Sequence, residues 1–487
     1  MDPQQGQGVV SPVPPLVVDL VQKGLLDRAF GEPLFPNVTL YRSIASHEFW
    51  EANSGQEVFI TRQGLLPAIV TPLKPNKDPE PQALSYEQYG MFLEPYGGTM
   101  DTYMPNSTVQ IANQFLANVK ALGLQAAMSL NRLARNRVFT DYLSGHTVLT
   151  ATATSGATQL QVASINGFTD VVIQGQNVRP KPVSPQYPLQ VTLVSGATSI
   201  TRNVVGFEPN DPNFPNGPGV LQLSAAVGGS GMPIRAGVFS TYRPSLIYSG
   251  GGNTIDSVGV ADILSIQDII NAVAILRSQN IRPHRETGLY HAQIGALANA
   301  QIFADPVFQR LNRGLPDGMR YKEGWLGELS GVGFWLNNES PFATSAGGTS
   351  NVGALVETDT SSSGTSYFAS DIGSEIINAN GVSVGQVLIT GEGVLYERSL
   401  PHDGFLTEAG VNGKLGEFNV TNGGLSIATE NVQLVLRAPT NRLQNSVAAT
   451  WYITTGFACP TDLTAMYGQM RYRRAIVLRH AQGSVSA

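Results

Sequence analysis

A run of apolar residues at helical spacing constrains this chain more than any other feature. Ile111, Phe115, Val119, Leu122, Ala126, Leu130 and Leu133 fall three or four positions apart, the period of one helix face. Asn106 and Ser107 follow Pro105 and offer N-cap side chains, so the pattern predicts a helix over 107–139. At 1.5 Å per residue such a helix spans roughly 50 Å, several times the average of about 11–12 residues. A helix this long with one apolar face is a spine that needs an extended partner surface. Arg132, Arg135 and Arg137 lie in its last predicted turns, where cations complement the negative helix end. The alternative is a basic surface facing DNA or an acidic partner.

Upstream, 56–95 reads as a long hairpin with limbs at 56–70 and 83–97. Pro72, Pro75, Pro79 and Pro81, with Lys74, Lys77, Asp78 and Glu80, form a polar tip that cannot pair as a strand. A hairpin with so few core-forming residues is marginal alone. Its apolar residues Leu65, Leu66, Ile69 and Val70 therefore need something else to cover, in the same chain or in a neighbour. Residues 1–48 read as an arm, rich in Gln, Gly and Pro over the first fifteen, with a short helix at 15–29.

Downstream, Thr, Val, Ser, Gly and Pro dominate 147–245 and helical periodicity disappears. The tetrapeptide SGAT occurs at 155–158 and 195–198, each time between β-rich runs, as a hairpin turn would. This stretch reads as an all-β insertion. From about 260 the chain is mixed α/β: Ser265 and Asp268 form a capping-box pattern before a helix at 266–278. A strand at 288–294, a helix at 295–312, a Gly-rich segment at 327–338 and a Ser/Thr/Gly-rich loop at 344–366 follow. Strands at 385–397, 432–439, 446–460 and 473–480 close the chain.

Composition removes several classes. Hydrophobic residues are 42% and charged residues only 14%, against roughly 25% charged in an ordinary domain. A net charge of −6 over 487 residues fits neither a disordered chain nor a phosphate-binding nucleic-acid protein. No stretch reaches the ~20 apolar residues of a membrane helix, and the N-terminus shows no basic-then-apolar secretory pattern. Cys459 is the single cysteine, so no internal disulfide forms, and it reads as a small buried apolar residue. Low surface charge also suits a chain whose surface is covered by partners, because interface cores are depleted of charge.

No arrangement of catalytic groups stands out: there is no GxSxG, HExxH, P-loop or GxGxxG after a strand. The histidines are His47, His146, His284, His291, His402 and His480. The closest pair, His284 and His291, is seven apart, wider than the usual metal-ligand spacing, and reads as structural. No catalytic, cofactor or metal residue is assigned, and the chain reads as a non-enzyme.

The order arm, extended hairpin, spine helix, β insertion, α/β domain and terminal strands resembles the major capsid protein of tailed bacteriophages, the Hong Kong 97 fold. Three local segments are similar to that family: 288–311, 324–341 and the closing 446–480. The resemblance implies an α+β fold with an N-arm at 1–48, an E-loop hairpin at 49–100 and a P-domain spine helix at 101–146. It further implies an all-β insertion domain at 147–245, a mixed α/β A-domain with P-domain parts at 246–460, and a C-terminal P-domain strand at 461–487. The implied function is self-assembly into hexamers and pentamers of an icosahedral head shell that encloses double-stranded DNA. The implied partners are copies of the chain itself and scaffolding, portal and decoration proteins, with no cofactor and no membrane. The implied location is the virion, after assembly in the host bacterial cytoplasm. Leu65, Leu66, Ile69, Val70, Lys74 and Lys77 would then contact neighbouring subunits, and Arg132, Arg135 and Arg137 would be the basic residues facing DNA. Some family members join an E-loop lysine to a neighbour's asparagine; no supporting carboxylate can be assigned here, so Lys74 and Lys77 read as solvated. Two other classes compete: an extracellular β-rich adhesion, tail-fibre or surface-layer protein, and a carbohydrate-active enzyme, which would need a carboxylate pair about 5–10 Å apart.

Overall fold

The computed structural model describes residues 41–50, 55–63, 69–70, 72, 78–79, 81, 86–103, 114–171, 180–212, 215–312, 327–337, 376–378, 380–400, 419–421, 424–429, 432–437, 446–462 and 470–482. They fall into two compact units. One takes its described residues from Met1–Phe59, Gly90–Arg135 and Leu395–Ala458, the other from Ile60–Tyr89, Asn136–Val394 and Cys459–Ala487. The architecture is mixed α+β.

In the first unit a seven-stranded sheet carries a helix on one face. The strand Ser446–Ala458 pairs antiparallel with Glu94–Tyr103 over ten residues and with Val432–Arg437. Helix α1, Gln114–Tyr142, begins in this unit and lays Phe115, Val119, Leu122, Ala126 and Leu130 on Val447, Ala449, Trp451 and Ile453. These strand residues sit at every second position, which is the period of one pleated face. Tyr96 and Met100 extend the same surface. Asn118 Nδ2 donates to Thr102 Oγ1 at 2.8 Å and Trp451 Nε1 donates to Gln125 Oε1 at 3.2 Å. The spine thus finds the extended surface that its length demands.

Residues 107–113 lie outside the described set, and α1 runs three residues beyond the predicted end at 139. Its last turn carries no basic residue, so Arg135 and Arg137 fall one to two turns before its end. The arm read as 1–48 ends in defined structure: a 3-10 turn Arg42–Ile44 and a strand Ala45–Phe49 that pairs in parallel with Leu395–Ser399. Sequence alone missed this strand because its partner lies some 350 residues away. The helix at 15–29 and the loop at 344–366 lie outside the described residues.

The second unit contains a seven-stranded mixed sheet in the order Leu246–Tyr248, Ala475–Ala481, Ser383–Thr390, Tyr290–Ile294, Val332–Leu336 and Glu328–Leu329, with Ile376–Ile377 beside Ser383–Thr390. Helices α2 (Ile266–Ser278), α3 (Ala296–Ala304) and α4 (Pro306–Asn312) pack on it. The capping box at Ser265 and Asp268 forms in both directions. The single helix expected over 295–312 is two, because Pro306 cannot donate a backbone hydrogen bond within a continuing helix. Asp305 turns the break into a cap: its carboxylate accepts from Val307 N at 2.7 Å and from Ile266 N at 2.9 Å, tying the starts of α2 and α4 together.

The third sheet closes on itself. Its order is His146–Val148, Gly237–Ser240, Leu189–Ser195, Thr198–Pro209, Gly219–Leu223 and Gln159–Val162. The two ends meet at the Leu149–Val162 bridge, where Thr150 N donates to Gln161 O at 2.9 Å and Ala163 N to Val148 O at 3.0 Å. The result is a six-stranded barrel filled by Leu160, Val162, Val191, Leu193, Val204 and Leu221 among others. Closure removes the free strand edges of an open sheet. The second SGAT makes a two-residue hairpin, with Ser195 opposite Thr198 and Gly196 at φ +57°. The first SGAT lies in the longer connection between the adjacent strands His146–Val148 and Gln159–Val162, and its Ser155 O and Ala157 O accept from Gly228 N and Val227 N. The strand before it also pairs with Gly237–Ser240, far along the chain, which a local repeat cannot report.

Candidate assembly surfaces

The ribbon Glu57–Gln63 with Tyr86–Phe92 is a two-stranded sheet. Gln88 Nε2 donates to Thr61 Oγ1 at 2.9 Å, and Leu93 N donates to Gln56 O at 3.0 Å. Trp50 Nε1 closes the base on Gly55 O at 3.1 Å. Tyr89, Met91 and Leu93 are buried, and the alternate positions Tyr86 and Phe92 are 48% and 57% exposed. Beyond the strand, Ile69 is 69% and Val70 89% exposed. Scattered single apolar residues on a surface need no explanation, but four on one slender element form a continuing theme. Covering each is worth up to about 1.5–3 kcal/mol, which the chain itself leaves uncollected.

Of the residues expected at subunit contacts, Ile69 and Val70 are thus exposed, while Leu65, Leu66, Lys74 and Lys77 lie outside the described residues. Sequence reasoning missed Tyr86 and Phe92. Their signal was present: they share one parity of the strand, and Tyr89, Met91 and Leu93 share the other.

Of the arginines expected to face DNA, Arg132 and Arg137 are partly exposed and Arg135 is buried. Arg137 donates to Asp141 one helical turn on, at 2.8 Å. The adjacent Asp141 charge raises the guanidinium pKa further, against the opposing effect of burial. Beside this pair, Cys459 is buried, and burial pushes its thiol pKa well up, so it is an inert core group. Helical periodicity placed these arginines near the helix end but could not show that Arg135 is buried.

Where the arm enters the first unit, a buried carboxylate gathers two basic side chains. Glu397 accepts from Arg42 Nε at 2.9 Å and Nη2 at 3.0 Å, and from His47 Nδ1 at 2.9 Å. Burial alone would raise the Glu397 pKa, but the His47 and Arg42 hydrogen bonds and the Arg42 charge outweigh it and hold the carboxyl below its usual range. Asn131 Oδ1 accepts from Tyr41 N and Arg42 N at 2.8 and 3.3 Å. The root of the arm is therefore pinned to both the helix and the sheet of that unit.

His284 and His291 stack with ring centroids 3.8 Å apart, and Trp335 lies 4.0 Å from His291. Each imidazole has a threonine partner, Thr390 and Thr287. Burial first, then the His284 charge, pushes His291 down to about 3. Among the described residues no group of three or more His, Cys, Asp or Glu could hold a metal ion. No helix among them is long and apolar enough to cross a membrane.

No family model matches the chain, and no curated protein matches it. Several solved structures are similar to it across nearly its whole length. The capsid of Ralstonia phage GP4 is 9% identical, with 91% of this chain and 88% of that chain covered and a TM-score of 0.45. The cyanophage Pam1 capsid asymmetric unit is 11% identical, with 99% and 97% covered and a TM-score of 0.45. The asymmetric unit of the bacteriophage PhiM1 mature capsid is 8% identical, with 92% and 88% covered and a TM-score of 0.41.

Proposed function

We propose that the chain is a shell-forming subunit of the tailed-phage major capsid type, with the Hong Kong 97 fold. One observation carries the proposal: a two-stranded ribbon, joined to a sheet that a 29-residue helix supports, exposes Tyr86 and Phe92, and Ile69 and Val70 beyond its first strand are exposed as well. A two-stranded element is marginal alone, and these exposed residues are the face on which a neighbour would add contacts. The low charge of the chain supports the same reading, because surface that becomes interface is depleted of charge.

In this reading the ribbon is the E-loop, and the helix-on-sheet unit is the P-domain. The α/β sheet with α2, α3 and α4 is the A-domain, and the barrel is an insertion domain. The arm root at Tyr41–Phe49 is anchored in the first unit. Hexamers and pentamers of the chain build the head of a virion, assembled in the host cytoplasm with scaffolding, portal and decoration partners. DNA is held by enclosure. Sedimentation velocity of the purified full chain across a concentration series, with negative-stain microscopy of the same samples, tests the proposal. Capsomer rings, tubes or closed shells support it; a globular monomer at every concentration overturns it.

A further inference from the structure

Within the second unit, the barrel meets the α/β sheet through an apolar layer that includes Val148, Ala163, Tyr248, Ile255, Val384 and Ala481. Two ionisable groups interrupt that layer. Arg479 comes from the central strand Ala475–Ala481 and is 3% exposed. Among the described residues its guanidinium meets no carboxylate. It donates from Nη1 to Tyr248 Oη at 3.5 Å, and its Nε is buried without a hydrogen-bond partner. His146 comes from the first strand of the barrel. Its Nε2 lies 2.9 Å from Pro244 O, and its Nδ1 is buried without a partner.

A carbonyl oxygen can only accept, so His146 Nε2 carries the hydrogen and Nδ1 presents a lone pair. Burial first, and then the charges of Arg243 and Arg479 against the Pro244 hydrogen bond, push this imidazole down to about 3. It is neutral at ordinary pH. The unpaired Nε–H of Arg479 is a donor, and the unpaired Nδ1 of His146 is an acceptor. Both residues line one cavity of about 10 Å³, together with Val148, Phe239, Tyr248 and Ile255. That space is enough for one water molecule.

We propose that this cavity is a binding site for a single water, which accepts from Arg479 Nε–H, donates to His146 Nδ1 and keys the barrel to the α/β sheet. Polarity selects the ligand: a water both accepts and donates, whereas a halide or a carboxylate can only accept and would face the Nδ1 lone pair. Leaving either group unsatisfied costs a substantial desolvation penalty, and one water removes both penalties at once. The proposal does not depend on the function assigned to the chain.

A density map of the full chain or its assemblies at about 2 Å tests it directly. One spherical feature within hydrogen-bond distance of both nitrogens is expected. An empty cavity, a direct Arg479–His146 contact, or an anomalous bromide peak there after growth in bromide would overturn it. A double-mutant cycle of His146→Leu and Arg479→Met, read by denaturant unfolding, supplies a second measure. Additivity contradicts the bridge, and coupling of about tenfold in the unfolding constant supports it.

Discussion

Replacing the exposed apolar side chains of the ribbon separates assembly from folding. Ile69→Ser, Val70→Ser and Phe92→Thr act on residues 69%, 89% and 57% exposed in the isolated chain. Full burial of such a side chain is worth about 1.5–3 kcal/mol, so covering the exposed share yields about 1–2 kcal/mol each. Lost together, they weaken one ribbon contact by about 3–6 kcal/mol, or roughly 10²- to 10⁴-fold in its association constant. The folded subunit loses almost nothing, because surface changes usually stay within about 0.5 kcal/mol. The triple variant should therefore unfold at the wild-type denaturant midpoint, yet fail to sediment as assemblies where the wild type does. Assembly at the wild-type concentration would refute the assignment of the ribbon to a neighbour. A large drop in the unfolding midpoint would show that the residues cover the chain's own core.

Gly97→Ala should destabilise the first unit by about 1–3 kcal/mol, because its new Cβ would lie 2.7 Å from the Trp451 carbonyl oxygen; urea unfolding measures it. Glu397→Gln leaves Arg42 buried without its charge partner and should cost about 3–5 kcal/mol, read the same way. The depressed Glu397 pKa adds a pH dependence. Its stabilisation is complete above the unfolded value of about 4.3 and is lost as pH falls through the lower folded value, a slope absent in the variant. His146, pushed down to about 3, works over a higher window. Stability is complete above the unfolded value of about 6.5 and declines toward pH 3 by at most about 5 kcal/mol, because the unfolded chain takes the proton first. His146→Phe should flatten that decline in unfolding curves taken between pH 7 and 4.

Signals that act within a few residues were legible in the sequence. The capping box at Ser265 and Asp268, the apolar face from Phe115 to Leu130 and the turn at Gly196 all emerge where local pattern places them. Signals that need distant partners were not. The parallel strand Ala45–Phe49 depends on Leu395–Ser399, and the barrel depends on His146–Val148 pairing with Gly237–Ser240. The burial of Arg135 depends on what packs over the helix end, so a charge that reads as surface in the sequence is interior in the fold. The candidate surface itself was half legible. Ile69 and Val70 stood out as apolar residues beside a proline-rich tip, whereas Phe92 was hidden among the buried residues of alternating parity on its own strand.

Negative-stain microscopy of the purified full chain, imaged as its concentration is raised, bears most directly on the central claim that this is a shell subunit. Rings of six or five subunits, tubes or closed shells are predicted, and the ribbon variant should show none of them. A field of single compact particles from the wild-type chain at every concentration would contradict it.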